Sequence, residues 1–279
     1  VGAFATFFIT ILLFVYSQKK AEYPLLPLEF FKDKRFTIGL IAISMAFFVM
    51  FSFMFTQMLH FQLVRGHSAL EASLRFLPLP LGLMPAAANS DRLVARFGSN
   101  NVVSAGLTLV TFGMLIFTTV TVETDYSKLA LIFLLVGLGM GLIMAPSTTL
   151  VMGSIHTDKA GVGSATNDAS REIGGALGIA IGGSVLNEFY QRNMVVPNGL
   201  EHLGQLPYES FAAAIQIGGE MVTEGNMAGN ELIEYARYAF VEGMVASAYV
   251  SAAIAFMTAI LVKIYMPSRR IEAASDDLG

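Results

Sequence analysis

Apolar residues arrive along this chain in blocks of about twenty, rather than in the two-residue rhythm of a half-buried strand or the four-residue rhythm of a surface helix. Blocks that long match an α-helix crossing about 30 Å of hydrocarbon. Residues 37–59 hold 23 positions without a charge, and 102–122 and 129–152 are as clean. Residues 68–88 carry Glu71, Arg75 and three prolines, while 165–186 open with Asp168, Arg171 and Glu172. The last block, 239–266, begins beside Glu242 and ends past Lys263. The pattern predicts six complete spans at these positions. Residues 1–16 are uncharged and lack the basic start and small-residue cleavage pattern of a signal peptide, so they read as the tail of a truncated spanning helix. A connector at 17–36, a loop at 187–238 and a tail at 267–279 complete the expected layout.

Composition supports a bilayer setting. Hydrophobic residues make up 54% of the 279 positions and charged residues only 14%, with a mean hydropathy of +0.63, too apolar for an ordinary soluble domain. Membrane lipids are therefore the expected surroundings. A net charge of −4 with no basic cluster speaks against nucleic acid as a partner. Without cysteine, thiolate chemistry is excluded, and His60, His67, His156 and His202 show no ligand spacing, so no metal site or cofactor is expected. The same dispersal argues against a membrane-embedded enzyme.

Basic residues sort between the two faces of the predicted bundle. Lys19, Lys20, Lys32, Lys34, Arg35, Arg92, Arg96, Lys159, Arg269 and Arg270 fall on one side, against Arg65, Lys128, Arg192 and Arg237 on the other. The positive-inside rule then places the C-terminus in the cytoplasm of a multi-pass inner-membrane protein. The 187–238 loop, with seven glutamates against two arginines, falls outside. It reads as a solvated connector, with a short surface helix at 211–221 disfavoured by Gly218 and Gly219.

Several stretches, in order, resemble the fourteen-span drug:proton antiporter family of the major facilitator superfamily. The most specific is GLGMGLIMAPSTTLVMGSIHTDKAGVGSATNDASREIGGALGIAIGGSVL at 137–186, similar to that family's twelfth and thirteenth spans; PLLPLEFFKDKRF at 24–36 and QLVRGHSALEASLRFLPLPLG at 62–82 resemble the approaches to its ninth and tenth. The resemblance implies that residues 37–266 form the six-helix C-lobe of a two-lobed carrier. It also implies that the N-lobe of the same polypeptide lies upstream and that small amphipathic or cationic compounds are exported by proton antiport. The proton gradient would be the energy source, and the proton-titrating acids would belong to the N-lobe. A lipid, siderophore or self-made antibiotic is the alternative cargo, and a structural or channel subunit the less favoured class. SDRLVARFGSN at 90–100 resembles the superfamily's cytoplasmic gating motif, retaining Arg92, Arg96 and Gly98, with Asp91 where a glycine is usual and Ala95 where an aspartate is usual.

Individual residues refine these expectations. Met50, Met54 and Met58 recur every four residues beside Phe51, Phe55 and Gln57, a soft face suited to a polyspecific cavity wall, although lipid contact or helix packing is the commoner cause of such a stripe. Gly174, Gly178 and Gly182, like Gly137 and Gly141, present faces without side chains, on which membrane helices approach closely. Pro146 and the prolines at 78, 80 and 85 should bend their spans and face protein or a cavity. Glu71 and Arg75, four apart, are expected to pair on one helix face. Asn167 and Asp168 are expected to cap the start of the 165–186 span beside Arg171 and Glu172, as a cap and ion pair or as a gate latch. Glu242 is weighed in the same way.

Overall fold

The computed structural model describes residues 28–268 together with Thr10, Leu13, Tyr16, Ser17 and Lys20. Most of the expected span at 1–16, residues 18, 19 and 21–27 of the connector and nearly all of the tail lie outside the described residues. Among those described there is no strand; the protein is all-α.

A 3-10 turn, Leu28–Lys32, leads into α1, Lys34–Leu59, whose first turn is capped by the Asp33 carboxylate accepting from the Arg35 amide at 2.7 Å. A π-helical turn, His60–Val64, continues it. Then follow α2 (Ala69–Leu74), α3 (Pro78–Phe97), α4 (Ser99–Phe117), α5 (Tyr126–Gly153), α6 (Ala160–Asn193), α7 (Leu206–Glu209), α8 (Phe211–Thr223) and α9 (Ala228–Tyr265). Lys34–Val64, Ser99–Phe117, Tyr126–Gly153 and Ala228–Tyr265 are each long and apolar enough to cross a membrane.

Several boundaries differ from the pattern. The block at 68–88 is two helices: Arg75, Phe76 and Leu77 separate α2 from α3, Arg75 and Leu77 keeping helical dihedrals, because Pro78 and Pro80 cannot donate to the preceding turn. α3 then runs on to Phe97, so Asp91, Arg92 and Arg96 lie on its last turns. α6 starts at Ala160, which puts Asn167 and Asp168 inside the helix and removes the expected capping role. α9 starts at Ala228, so Glu242 sits well inside a helix rather than at its end. Pro146 is buried within α5 and Pro78 partly so on α3, but Pro80 and Pro85, expected to face protein or a cavity, are exposed on α3.

The long helices pack in a repeating scheme. α3 lies against α5 as α6 lies against α1, α4 lies against α5 as α9 lies against α1, and α1 meets α5 while α4 meets α9. The glycines make this possible. A Cβ on Gly174 or Gly178 would run into the carbonyls of Ser44 and Phe48 on α1, and one on Gly137 or Gly141 into those of Leu79 and Leu83 on α3. Gly182 stands against Ser52, whose hydroxyl is 3.3 Å from that of Ser247 on α9. Where water no longer drives apolar association, such close approach supplies dispersion contacts over the helix lengths. Phe53, Phe61, Phe76, Phe117 and Phe133 fill the space between α1, α4, α5 and the α2–α3 link, with Phe76 and Phe133 ring centroids 5.0 Å apart.

The stretch at 187–238 is not a solvated connector. α8 packs on α9, and Gly218 is what lets it: its α-carbon lies so near Ile233 and the Gly229 carbonyl that a Cβ would stand 2.6 and 2.9 Å from them. The glycine expected to weaken this helix instead fixes its position. Tyr190, 1% exposed, donates to the Pro207 carbonyl at 2.6 Å, and Phe211 lies between Tyr190, which it meets edge to face, and Phe240, whose ring centroid is 4.5 Å away. Burial pushes the Tyr190 hydroxyl pKa well up, so it remains a donor.

Candidate functional site

The aromatic side of α1 lies over the bare face of α6. Phe47 and Phe51 stack at 5.9 Å, Gly175 sits beneath the Phe51 ring and Gly183 beside that of Phe55. Met54 and Phe55 are exposed, at 37% and 36%. An aromatic strip of Phe47, Phe51 and Phe55 thus runs along the α1–α6 seam, with Met54 and Phe55 unburied along it. Met50 and Met58 turn partly into the core. The methionine stripe is therefore split between surface and packing, because a four-residue repeat drifts around a 3.6-residue helix.

Gln57 leaves the open face altogether. It is fully buried, as is His60 one turn on, and all four of their side-chain polar atoms lack a hydrogen-bond partner among the described residues. Sequence spacing gave no hint of His60. The signal that marks it is the π-helical turn it opens, a local widening found disproportionately at functional places.

At one end of the strip Arg171 ties three helices together. Its guanidinium lies 5.5 Å from the Phe47 ring on α1, donates to Thr148 Oγ1 on α5 at 3.1 Å, and pairs with Asp168 one turn back at 3.6 Å. Cation–π contact and a charge-assisted bond together hold this side chain in place. The expected Asp168–Arg171 pair is present; Glu172 and Glu242 are exposed, with no ion-pair or hydrogen-bond partner among the described residues. Asn167 is buried, with its Oδ1 unpartnered among the described residues.

Asp91 borders a cavity of about 220 Å³ with Arg35, Ser99, Pro146 and Thr149, where the ends of α3 and α5 meet the starts of α1 and α4. Arg92 and Arg96 are exposed, Arg96 lying 5.2 Å from the Phe97 ring. Gly98 joins α3 to α4 at φ +85°, ψ 154°, a conformation nearly confined to glycine. Three of the four gating-motif positions are thus at a helix end and the fourth makes the joint.

The Glu71–Arg75 pairing does not form. Glu71 turns back on Ser68, which donates to it from its amide at 2.9 Å and its hydroxyl at 3.1 Å, completing a capping box. These bonds hold the Glu71 carboxyl below the usual range. Arg75 lies 5.0 Å from the Tyr126 ring instead. It belongs to an electrostatic group with Arg65 and Arg237; burial first, then Arg75, lowers the Arg65 pKa, and Asp125 opposes them.

A bundle of long apolar helices, keyed through glycines and presenting an aromatic strip, is an all-α membrane protein of the transporter kind. The chain belongs to the Major Facilitator Superfamily, whose family profile matches residues 1–179. It is similar to the multidrug efflux pump LfrA of Mycolicibacterium smegmatis, 28% identical over 264 residues, covering 94% of this chain and 51% of that protein. Similar too are the multidrug transporter protein MdtP of Bacillus subtilis, 28% identical over 80% of this chain and 41% of that protein, and the multidrug resistance protein Stp of Mycobacterium tuberculosis, 26% identical over 96% and 51%. The chain spans about half the length of these curated relatives.

Proposed function

We propose that this chain is the C-terminal lobe of an exporter of small amphipathic or cationic compounds, lying across the inner membrane with its C-terminus in the cytoplasm and working by proton antiport with the N-lobe of the same polypeptide. The observation that carries the reading is the Phe47–Phe51–Phe55 strip on the glycine face of α6, with Met54 beside it and Arg171 at its end. Aromatic and thioether side chains accept ligands of varied shape, which is what a polyspecific wall requires. The names of the multidrug relatives support the cargo class. Gly174, Gly178 and Gly182 would let α1 and α6 move as one unit while the lobes rock, and Asp91, Arg92, Arg96 and Gly98 would close the cytoplasmic end. Expressed with its upstream coding sequence in a pump-deficient host, the protein should lower accumulation of cationic dyes, and a protonophore should abolish the effect. Unchanged accumulation across a panel of cationic and neutral dyes would overturn the reading.

A second cargo has a specific observation behind it. The chain is also 24% identical, over 88% of its length, to the tetracenomycin C resistance and export protein of Streptomyces glaucescens. Resistance confined to one antibiotic in the same host would favour that reading.

A further inference from the structure

Beyond the aromatic strip, where α1 and α6 meet the 187–238 segment, a recess of about 520 Å³ opens, a size suited to a drug-like molecule. Its apolar walls include Phe55 and Leu59 from α1, Phe211 from α8 and Phe240 from α9; its polar border is Ser184, Asn187, Glu209 and Ser210. Glu209 is the one charged side chain on that border, and its carboxylate has no hydrogen bond or ion pair among the described residues. The basic side chain nearest along α6, Arg192, is already taken by Glu188 at 2.7 Å. The backbone on either side of Glu209 is anchored, by the Tyr190 hydroxyl on the Pro207 carbonyl of α7 and by Phe211 lying between Tyr190 and Phe240, while the Glu209 side chain itself is exposed. An unpaired carboxylate on an anchored backbone at the border of aromatic walls favours a ligand that is apolar, bulky and positively charged, since ring faces attract cations as the carboxylate does.

We propose that this recess is a binding site for amphipathic organic monocations, with Glu209 as the counter-charge and Phe55 and Phe211 as walls. The site rests on the exporter reading for its purpose and would be the last station before release. Phe55 belongs both to the strip and to the recess, so cargo moving along the α1–α6 seam reaches it without leaving apolar contact.

Tetraphenylphosphonium and tetraphenylborate have nearly the same size and shape and opposite charge, so their binding to the detergent-purified full polypeptide isolates the carboxylate. The cation should bind more tightly than the anion. Glu209→Gln should weaken the cation roughly fivefold to tenfold and leave the anion unchanged or stronger, while Glu209→Asp retains the preference. Glu209 directly precedes the capped start of α8; if it only offsets that helix end, Glu209→Gln alters thermal stability with no change in charge preference, and the site is overturned. Excess phosphatidylethanolamine should not displace the cation; displacement would assign the recess to a lipid ammonium and overturn it likewise. Should Glu209→Gln fail to fold, Ala212→Trp decides, because Ala212 is an exposed part of the wall: it should weaken both ions, and unchanged binding refutes the site. Charge-blind binding with export intact refutes the recess alone, whereas charge-selective binding without export refutes the exporter reading and leaves the recess standing.

Discussion

The close approach of α1 and α6 can be tested by a single methyl group. In Gly178→Ala the new Cβ would lie 2.9 Å from both the carbonyl carbon and the Cα of Phe48. Carbon atoms rest at about 3.5–4.0 Å, so the helices must part by roughly 0.6–1.1 Å. The obstacle is backbone, and no rotamer change can relieve it. Overpacking of this kind costs about 1–3 kcal/mol, against a helix-propensity gain of about 1 kcal/mol from replacing glycine. Gly219→Ala is the matched control, since a Cβ there meets nothing within 4 Å, and it should show the propensity gain alone. The two variants should then differ by about 1–3 kcal/mol, or on the order of 2–12 °C in midpoint by the scaling for domains of this general size. Because the chain has no tryptophan, helix loss in detergent is best followed by circular dichroism. If Gly178→Ala melts with Gly219→Ala, the α1–α6 seam is not close-packed and the rigid-unit account of α1 and α6 fails.

Tyr190→Phe removes one buried hydrogen bond and should cost about 1 kcal/mol, read as faster amide exchange in α7 and α8 before any global change. Gly98→Ala forces a side chain into the φ +85° joint and against Ser268, for an expected loss of about 1–3 kcal/mol in thermal unfolding. Arg171→Ala gives up the Phe47 contact and the Thr148 bond, about 1–2 kcal/mol together, whereas Arg171→Lys should recover part of the ring contact and none of the planar fork. For Glu71 the carboxyl is depressed in the folded protein, so its stabilising effect is full above the ordinary carboxylate pKa and fades as pH falls through the lowered one. Glu71→Gln should flatten that acid limb of the unfolding profile.

Much of the architecture was written in residue order. Uninterrupted apolar blocks specify helices whatever surrounds them, because each helix satisfies its own backbone within itself; 102–122 and 129–152 became α4 and α5 with ends moved by a few residues. The spacing of Gly174, Gly178 and Gly182 likewise announced a close-packed face, and their surroundings bear it out. What sequence could not determine is the partner of each face. Gly218 discourages a helix in isolation yet seats α8 on α9, a preference set by the neighbour rather than by the residue. Glu71 had Arg75 within reach along the helix and chose Ser68, because an unsatisfied helix start was nearer. Gln57, read as part of the open methionine–phenylalanine face, and His60, whose spacing gave no signal, are both fully buried, at the end of α1 and in the π-helical turn that continues it, a consequence of which way the helix is rotated once α5, α6 and α9 close around it. Local chemistry along the chain thus decides which segments are helical and apolar; only their packing decides which side chains are enclosed, which remain open along the α1–α6 seam, and that Glu209 is brought to its end.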